Sequence, residues 1–195
     1  MRIYDISQEV FSCEVFEGDP EPKKEQLSDM KSGALYNLTA LSMCAHNGTH
    51  VDAPYHFFEE GKTIDQIPLD HFVGFCYLAR TSDKIDAREA EEIMRKAIAA
   101  NAGERIVLAG DLTVTAPAAR VFAEYKIKLI GNESQTVGPI DAPMEVHKIL
   151  LGNDIVLLEG IRLDGIEEGR YFLNAAPLNL SSSDGSPCRA ILIGE

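Results

Sequence analysis

The stretch DAREAEEIMRKAIAANAGERIVLA, residues 86–109, decides the fold class. Asp86 stands where a helix N-cap belongs and Glu89 follows three residues later. Ile93, Met94, Ala97 and Ile98 then form an apolar stripe at helical spacing. The pattern predicts a helix over 86–100, stopped by Gly103, and a strand over 105–109. Working outward, the alternation continues. Residues 75–81 read as a strand. Residues 115–125 read as a helix that tolerates Pro117 near its first turn. Residues 128–131 read as a strand. Asp141 caps a helix running to about Leu151, with Pro143 near its start, and residues 154–159 read as a strand. Alternating strand and helix point to an α/β layer with partly parallel strands.

The two ends are strand-rich without helices. Residues 2–7 and 188–193 read as short strands. Residues 35–45 are mostly apolar and suit a buried strand, and Asn47-Gly48 marks a tight bend after it. Residues 8–33 are polar and broken by Gly18, Asp19, Pro20 and Pro22, so they read as a loop or as an arm reaching a partner subunit. With 195 residues and 45% apolar content, residues 1–195 fit a single domain with a sizeable core.

Composition narrows the function classes. A net charge of −13 repels phosphate backbones, which argues against nucleic-acid binding. No apolar run approaches the ~18 residues of a membrane span, and the N-terminus lacks the apolar core of a signal peptide. Cys13, Cys44, Cys76 and Cys188 form no C-x-x-C pair, so a thiolate zinc site is not expected. Free thiols without a secretory signal suggest the cytoplasm.

Chemistry concentrates in HNGTHVDAPYH, residues 46–56, which holds three of the five histidines. Gly48 and Pro54 argue against a helix, and Pro54 pushes Ala53 to an extended conformation. Along an extended segment, residues 50, 52, 54 and 56 project to one face. His50, Asp52 and His56 then converge on one pocket, and His46 can join from the turn at Gly48. The alternative, a polar loop with surface histidines, suits one histidine better than three with an interleaved carboxylate. Imidazole and carboxylate without thiolate suit zinc, manganese or iron(II). On residues alone, His147 is a lone helical histidine and Glu159 ends an apolar strand, so each is open between a ligand and a structural role. His71 reads as surface or a helix end, and Cys44 as packing. Met43, Phe57 and Phe58 suit a substrate pocket or the core equally.

The segment His46–His56 resembles the H-x-G-T-H-x-D-x-P-x-H signature of the cyclase family of metal-dependent hydrolases, which includes bacterial kynurenine formamidases. The likeness continues through Asp5-Ile6-Ser7, Gly18-Asp19-Pro20, Gly131–Pro139, His147, Leu150-Leu151, Leu158-Glu159-Gly160, Gly185-Ser186-Pro187 and Arg189-Ala190, and so covers nearly the whole chain. It implies a swivelling β/β/α domain with a barrel-like mixed sheet and flanking helices. It implies that His46, His50 and Asp52 bind one metal, that Asp52 bridges to a second bound by His147, and that Glu159 serves both. His56 is then the proton donor and acceptor. One or two divalent ions are expected, zinc first and manganese as the alternative, in a homodimer or tetramer acting on a small-molecule amide.

The implied activity is hydrolysis of a carbon–nitrogen bond, most like an arylformamidase converting N-formyl-L-kynurenine to L-kynurenine and formate in tryptophan catabolism. The alternatives are hydrolysis of a cyclic amide or lactone such as an isatin-like ring, or a binding protein without catalysis. Two departures bear on that choice. The formamidases carry a Trp as a substrate contact in the N-terminal arm. This chain has no Trp, and Phe16 stands at or near that place as the expected substrate contact, followed by Glu17 where the family often has Pro. The segment Gly131-Asn132-Glu133-Ser134-Gln135-Thr136 also differs from the formamidases' usual G-x-D-x-x-S.

Overall fold

The computed structural model describes residues 1–81 and 83–194. Helix α1 (Ala87–Ala99) forms on the predicted stripe. Asp86 accepts from the Glu89 backbone N–H at 2.8 Å, and Ala90, Ile93, Met94 and Ala97 are buried. Ile98 points outward instead. Helix α2 (Ala116–Glu124) is capped by Thr115. Helix α3 (Met144–Leu151) begins two residues later than a cap at Asp141 implies, because residues 139–142 close a turn and Asp141 caps nothing. Pro143 stands at the N-cap instead, and its carbonyl accepts from the His147 N–H at 3.2 Å.

The strands are β1 (Arg2–Asp5), β2 (Lys23–Ser28), β3 (Leu38–Ser42), β4 (His50–Asp52), β5 (Val73–Arg80), β6 (Asp83–Ile85), β7 (Arg105–Ala109), β8 (Leu112–Val114), β9 (Leu129–Asn132), β10 (Val156–Glu159), β11 (Gly169–Asn174), β12 (Gly185–Pro187) and β13 (Ile191–Gly194). Nine of them form one curled, half-barrel sheet in the order β1-β13-β11-β5-β7-β9-β10-β4-β12. Its centre, β5-β7-β9-β10, is parallel, as the strand–helix alternation predicts, and antiparallel strands extend it on both sides. This is the expected barrel-like mixed sheet with flanking helices.

Residues of the central strands alternate between two apolar layers. Ile106, Leu108, Ile130 and Leu157 pack under the three helices. Val107, Ala109, Leu129, Val156 and Leu158 pack on the other face against Ile6, Val51, Phe72 and Leu192. Strands covered on both faces read as continuous apolar runs, which is why Ile155-Val156-Leu157-Leu158 shows no polar alternation.

Two segments differ from expectation. Residues 35–45 do not form a buried strand. Only 38–42 pair, with β2, in a separate two-stranded sheet whose Leu38 and Leu41 are exposed. The segment is apolar enough for a core, but neither sheet layer covers it. Residues 8–33, expected to lack strands, contain β2 for the same reason: it is the other half of that hairpin. Strands β6, β8, β11 and β12 carry no clear pattern in the sequence. Gly185-Ser186-Pro187 is a poor strand by composition and is held as one by pairing with β4.

Candidate active site

Strand β4 is three residues long and lies between β10 and β12. His50 faces Glu159 and Pro187 in register, and Asp52 faces Leu157 and Gly185. Val51 points into the core while His50 and Asp52 share the opposite face, as the period of a strand requires. Pro54 holds Ala53 extended, with φ −100° and ψ 157°. The strand then stops. Residues 54–56 form a 3-10 turn rather than the expected extended continuation, and the His56 N–H returns to the Ala53 carbonyl at 2.9 Å. The turn nevertheless leaves the His56 ring 4.2 Å from that of His46. His46 reaches the same place because Gly48, at φ +62°, bends the chain back.

The structure thus brings together His46, His50, Asp52, His56, His147 and Glu159. Asp52 Oδ1 lies 2.8 Å from His46 Nδ1 and 3.4 Å from His50 Nε2, and Oδ2 lies 3.8 Å from His147 Nε2. Glu159 lies 3.5 Å from His50 Nε2 and 3.3 Å from His147 Nε2, and accepts from the Val137 N–H at 2.8 Å. His50, Asp52, His147 and Glu159 are buried. Among the described residues two ligand sets arise, His46/Asp52/His56 and His50/Asp52/Glu159, each with donor atoms within 4.8 Å of one another. Asp52 belongs to both.

The donor chemistry fits a divalent cation. His50 Nδ1 donates to the Gly48 carbonyl and His147 Nδ1 to the Pro143 carbonyl, both at 2.9 Å. A neutral ring so fixed presents an Nε2 lone pair inward, toward the Asp52 and Glu159 carboxylates, and acceptors then face acceptors. Only protons or a cation relieve this. In the metal-free chain protons do so. Burial alone lowers the His46 pKa, but hydrogen bonds to Asp184 and Asp52 overcome it and raise it to about 11. Burial likewise opposes charge on His147, and Glu159 outweighs it, giving about 9. His50 is also raised, by Glu159 and Asp52 against burial. Burial disfavours the Asp52 anion, yet the imidazoles, His46 foremost, hold its carboxyl well below the usual range.

One residue at the edge of the cluster escaped sequence reading. Asp184 Oδ2 lies 2.9 Å from His46 Nε2 and 3.2 Å from His56 Nδ1, and the bonds to these two rings hold its pKa well below the ordinary value. The only signal is its place before Gly185-Ser186-Pro187, and nothing about that position marks a site. Gly185 is required there, since a Cβ would meet His46 Cε1 at 2.8 Å. Phe57 does stand at the site, 5.0 Å from the His147 ring, and Phe58 packs on the core. Met43 lines a separate groove with Phe11 and Leu41. His71 ends a 3-10 turn, and Cys44 is a partly buried thiol near Asp19. Phe16 is half-buried in a cavity of about 430 Å³ with Val15, Gln135, Thr136 and Ile140. Glu133, where the formamidases carry Asp, accepts from the Gly110 and Leu163 N–H groups at 2.8 and 2.9 Å, so this departure holds the strand ends together.

At neutral pH the raised pKa values keep His46 and His147 protonated in the metal-free chain, whereas metal binding requires neutral imidazole. Metal therefore displaces protons, and affinity should rise with pH through the His147 value near 9 and on toward the His46 value near 11. Calorimetric titration with zinc or manganese near neutral pH should give heats that scale with the buffer's ionisation enthalpy. Buffer-independent heats would contradict the protonated cluster.

Comparisons with known proteins identify the family. The family profile described as "Putative cyclase" matches residues 4–139. A kynurenine formamidase of Erythrobacter litoralis is 32% identical, over 98% of this chain and 93% of that protein. The structure of a potential metal-dependent hydrolase with cyclase activity superposes with a TM-score of 0.83 at 27% identity, covering 98% of this chain and 96% of the other. Isatin hydrolase A of Labrenzia aggregata, at 21% identity and a TM-score of 0.82 over 100% of this chain and 94% of its own, shares the fold. The chain belongs to the cyclase family.

Proposed function

We propose that this chain is a metal-dependent hydrolase of carbon–nitrogen bonds whose substrate is an aryl formamide of the N-formyl-L-kynurenine type. The observation that carries the reading is Asp52: a buried carboxylate shared by two donor sets, one of which also contains His56, whose ring stacks 4.2 Å from His46. His46, His50, Asp52, His147 and Glu159 would hold the metal, as one ion or as a pair that shares Asp52. Imidazole and carboxylate donors suit zinc first and manganese as the alternative. When bound, a divalent cation supplies positive charge that polarises a carbonyl and makes water more acidic.

The chain's own residues supply the rest. His56 takes a proton from the attacking water and delivers it to the leaving nitrogen as the C–N bond breaks. An amide needs that delivery because an amine anion is a poor leaving group. The products are a carboxylate and a free amine. Phe57, edge-on to His56 at 4.7 Å, shields the ring from solvent on one side. Phe16 offers an aromatic face to the substrate from the cavity it lines with Val15, Gln135, Thr136 and Ile140. A cyclic amide such as isatin is the second reading, supported by the fold shared with an isatin hydrolase and by Phe16 in place of the formamidases' Trp.

The active unit is a homo-oligomer, a dimer or tetramer. The β2–β3 hairpin carries exposed Leu27, Leu35, Tyr36 and Leu41, with Leu35 93% exposed, and a two-stranded ribbon without a second layer is marginal alone. The partner surface is a second copy. No helix among the described residues is long and apolar enough to cross a membrane. The four free thiols suit a reducing compartment, the cytoplasm.

The metal-loaded protein should hydrolyse N-formyl-L-kynurenine, and His56→Ala should lower kcat by about 10²–10⁴-fold with metal content intact. Turnover of isatin alone would favour the second reading, and parental turnover by the variant would remove His56 from the chemistry. Phe16→Ala should raise KM by about tenfold, the worth of roughly 1.4 kcal/mol of lost aromatic contact, with kcat near parental; an unchanged KM would place the substrate elsewhere. Light scattering should show a dimer or larger, and a double change of Leu35→Lys and Leu41→Lys should dissociate it. A parent that stays monomeric at all concentrations would rule out the assembly.

A further inference from the structure

We infer that Asp184 is the positioning residue for His56: its carboxylate fixes which ring nitrogen carries the proton and aims the other at the substrate. The inference rests on the proposed role of His56 as proton carrier.

The geometry is asymmetric in a useful way. Asp184 Oδ2 meets His56 Nδ1 at 3.2 Å and His46 Nε2 at 2.9 Å. An ionised carboxylate only accepts, so Nδ1 of His56 must carry a hydrogen. Nε2 makes no hydrogen bond to the described residues and is left free to take and give a proton. The remaining contacts of the ring are aromatic: His46 at 4.2 Å with a 33° tilt, and Phe57 edge-on. Such contacts set the plane of an imidazole but do not distinguish its two nitrogens. Asp184 is therefore the group that selects the tautomer.

The carboxylate is itself firmly placed. Its own backbone carbonyl accepts from the Ala53 N–H at 2.9 Å, and the Ser183 carbonyl accepts from the Ile64 N–H at 2.9 Å. The next residue, Gly185, opens β12 and pairs with Asp52. One strand pair thus sets Asp52 and Asp184 on the two sides of the His46 ring, whose nitrogens face one carboxylate each. Asp184 belongs to neither candidate ligand set, and its side chain is 42% exposed, unlike the buried Asp52 and Glu159. It stands outside the cluster and faces His56.

The test compares the metal-loaded parent with Asp184→Ala, Asp184→Asn and His56→Ala. It reads metal stoichiometry, the ¹⁵N shifts of the His56 ring, and kinetics with N-formyl-L-kynurenine and isatin as probes. The parent should show His56 protonated at Nδ1, in both metal-free and metal-loaded protein. Asp184→Ala should keep its metal, convert His56 to a tautomer mixture and lower kcat by about 10–100-fold, with KM changed by no more than about twofold. Asp184→Asn presents an NH2 donor as well as an acceptor, so it no longer enforces Nδ1–H; it should also keep its metal, change the His56 tautomer and lower kcat, and it carries the comparison if the alanine variant fails to fold. An unchanged tautomer or a parental kcat in Asp184→Ala overturns the inference. So does loss of a metal ion, which would make Asp184 a ligand. Parental turnover in His56→Ala would instead defeat the role of His56, a result the Asp184 variants cannot produce. If neither probe is turned over, tautomer and metal content decide.

Discussion

A carboxylate withdrawn from water must be matched by groups in direct contact, because an unpaired buried charge costs several kcal/mol after relaxation (of order 20 in the idealised limit). Asp52 is 1% exposed and sits among His46, His50 and His147. The rest of the site follows from that need. The imidazoles must arrive from three places in the chain: the turn at 46–48, strand β4 and helix α3. Each is locked by something outside the cluster: His46 by Asp184, His50 by the Gly48 carbonyl, His147 by the Pro143 carbonyl. Backbone carbonyls that fix Nδ1–H dictate that Nε2 faces inward, and this preorganises the ring orientation before any ion enters.

The sheet supplies the frame. Glu159 ends β10, a strand of the parallel block, whereas Asp52 lies on the antiparallel neighbour β4. The site therefore forms where the parallel centre of the sheet meets its antiparallel margin. The helices cover one face of the parallel strands and leave the carboxyl end of β10 for a polar cluster. Helix α3 serves both purposes, burying Val146, Leu150 and Leu151 in the core while His147 reaches the carboxylates. Ligands of open α/β sheets gather at the carboxyl ends of strands for the same reason: backbone direction and loop freedom coincide there.

Much of this is legible in the sequence. The helical stripe at 86–100 and the apolar runs of the parallel strands are local patterns, and local patterns survive into structure. The grouping of His46, His50, Asp52 and His56 was also legible, because eleven residues supply it and Pro54 limits their conformations. The extended continuation to His56 was wrong in detail, since the chain closes a 3-10 turn once β4 loses its pairing partner. His147 and Glu159 were open on residues alone. Their identity as neighbours depends on β10 lying beside β4, which is a tertiary fact. Asp184 and β12 were invisible for a stronger reason. Gly185-Ser186-Pro187 opposes a strand by composition, and only pairing with β4 makes it one. The hairpin departs from its sequence pattern in the opposite sense, because apolar content marks burial without saying whether the same chain provides the cover.

These contrasts separate two demands on the molecule. Groups that handle charge and protons sit on strands, a helix and a backbone-anchored turn, where a displacement of about 1 Å would unbalance several contacts at once. The cavity around Phe16, Gln135 and Thr136, which receives the substrate under the proposed function, is instead built from the segment before β2 and the loop after β9. The Gln135 amide and the Thr136 hydroxyl are buried there without hydrogen-bond partners among the described residues. Buried polar atoms left unpaired cost about 1–3 kcal/mol each, a deficit that a polar ligand can repair. The places where this chain departs from the formamidases, Phe16 and residues 131–136, fall in these two segments. Within 131–136 the roles divide again: Glu133 ties strand ends together, whereas Gln135 and Thr136 line the cavity. Selectivity in this chain accordingly resides in Phe16, Gln135 and Thr136 under the proposed function, and Glu133 is part of the frame that holds them.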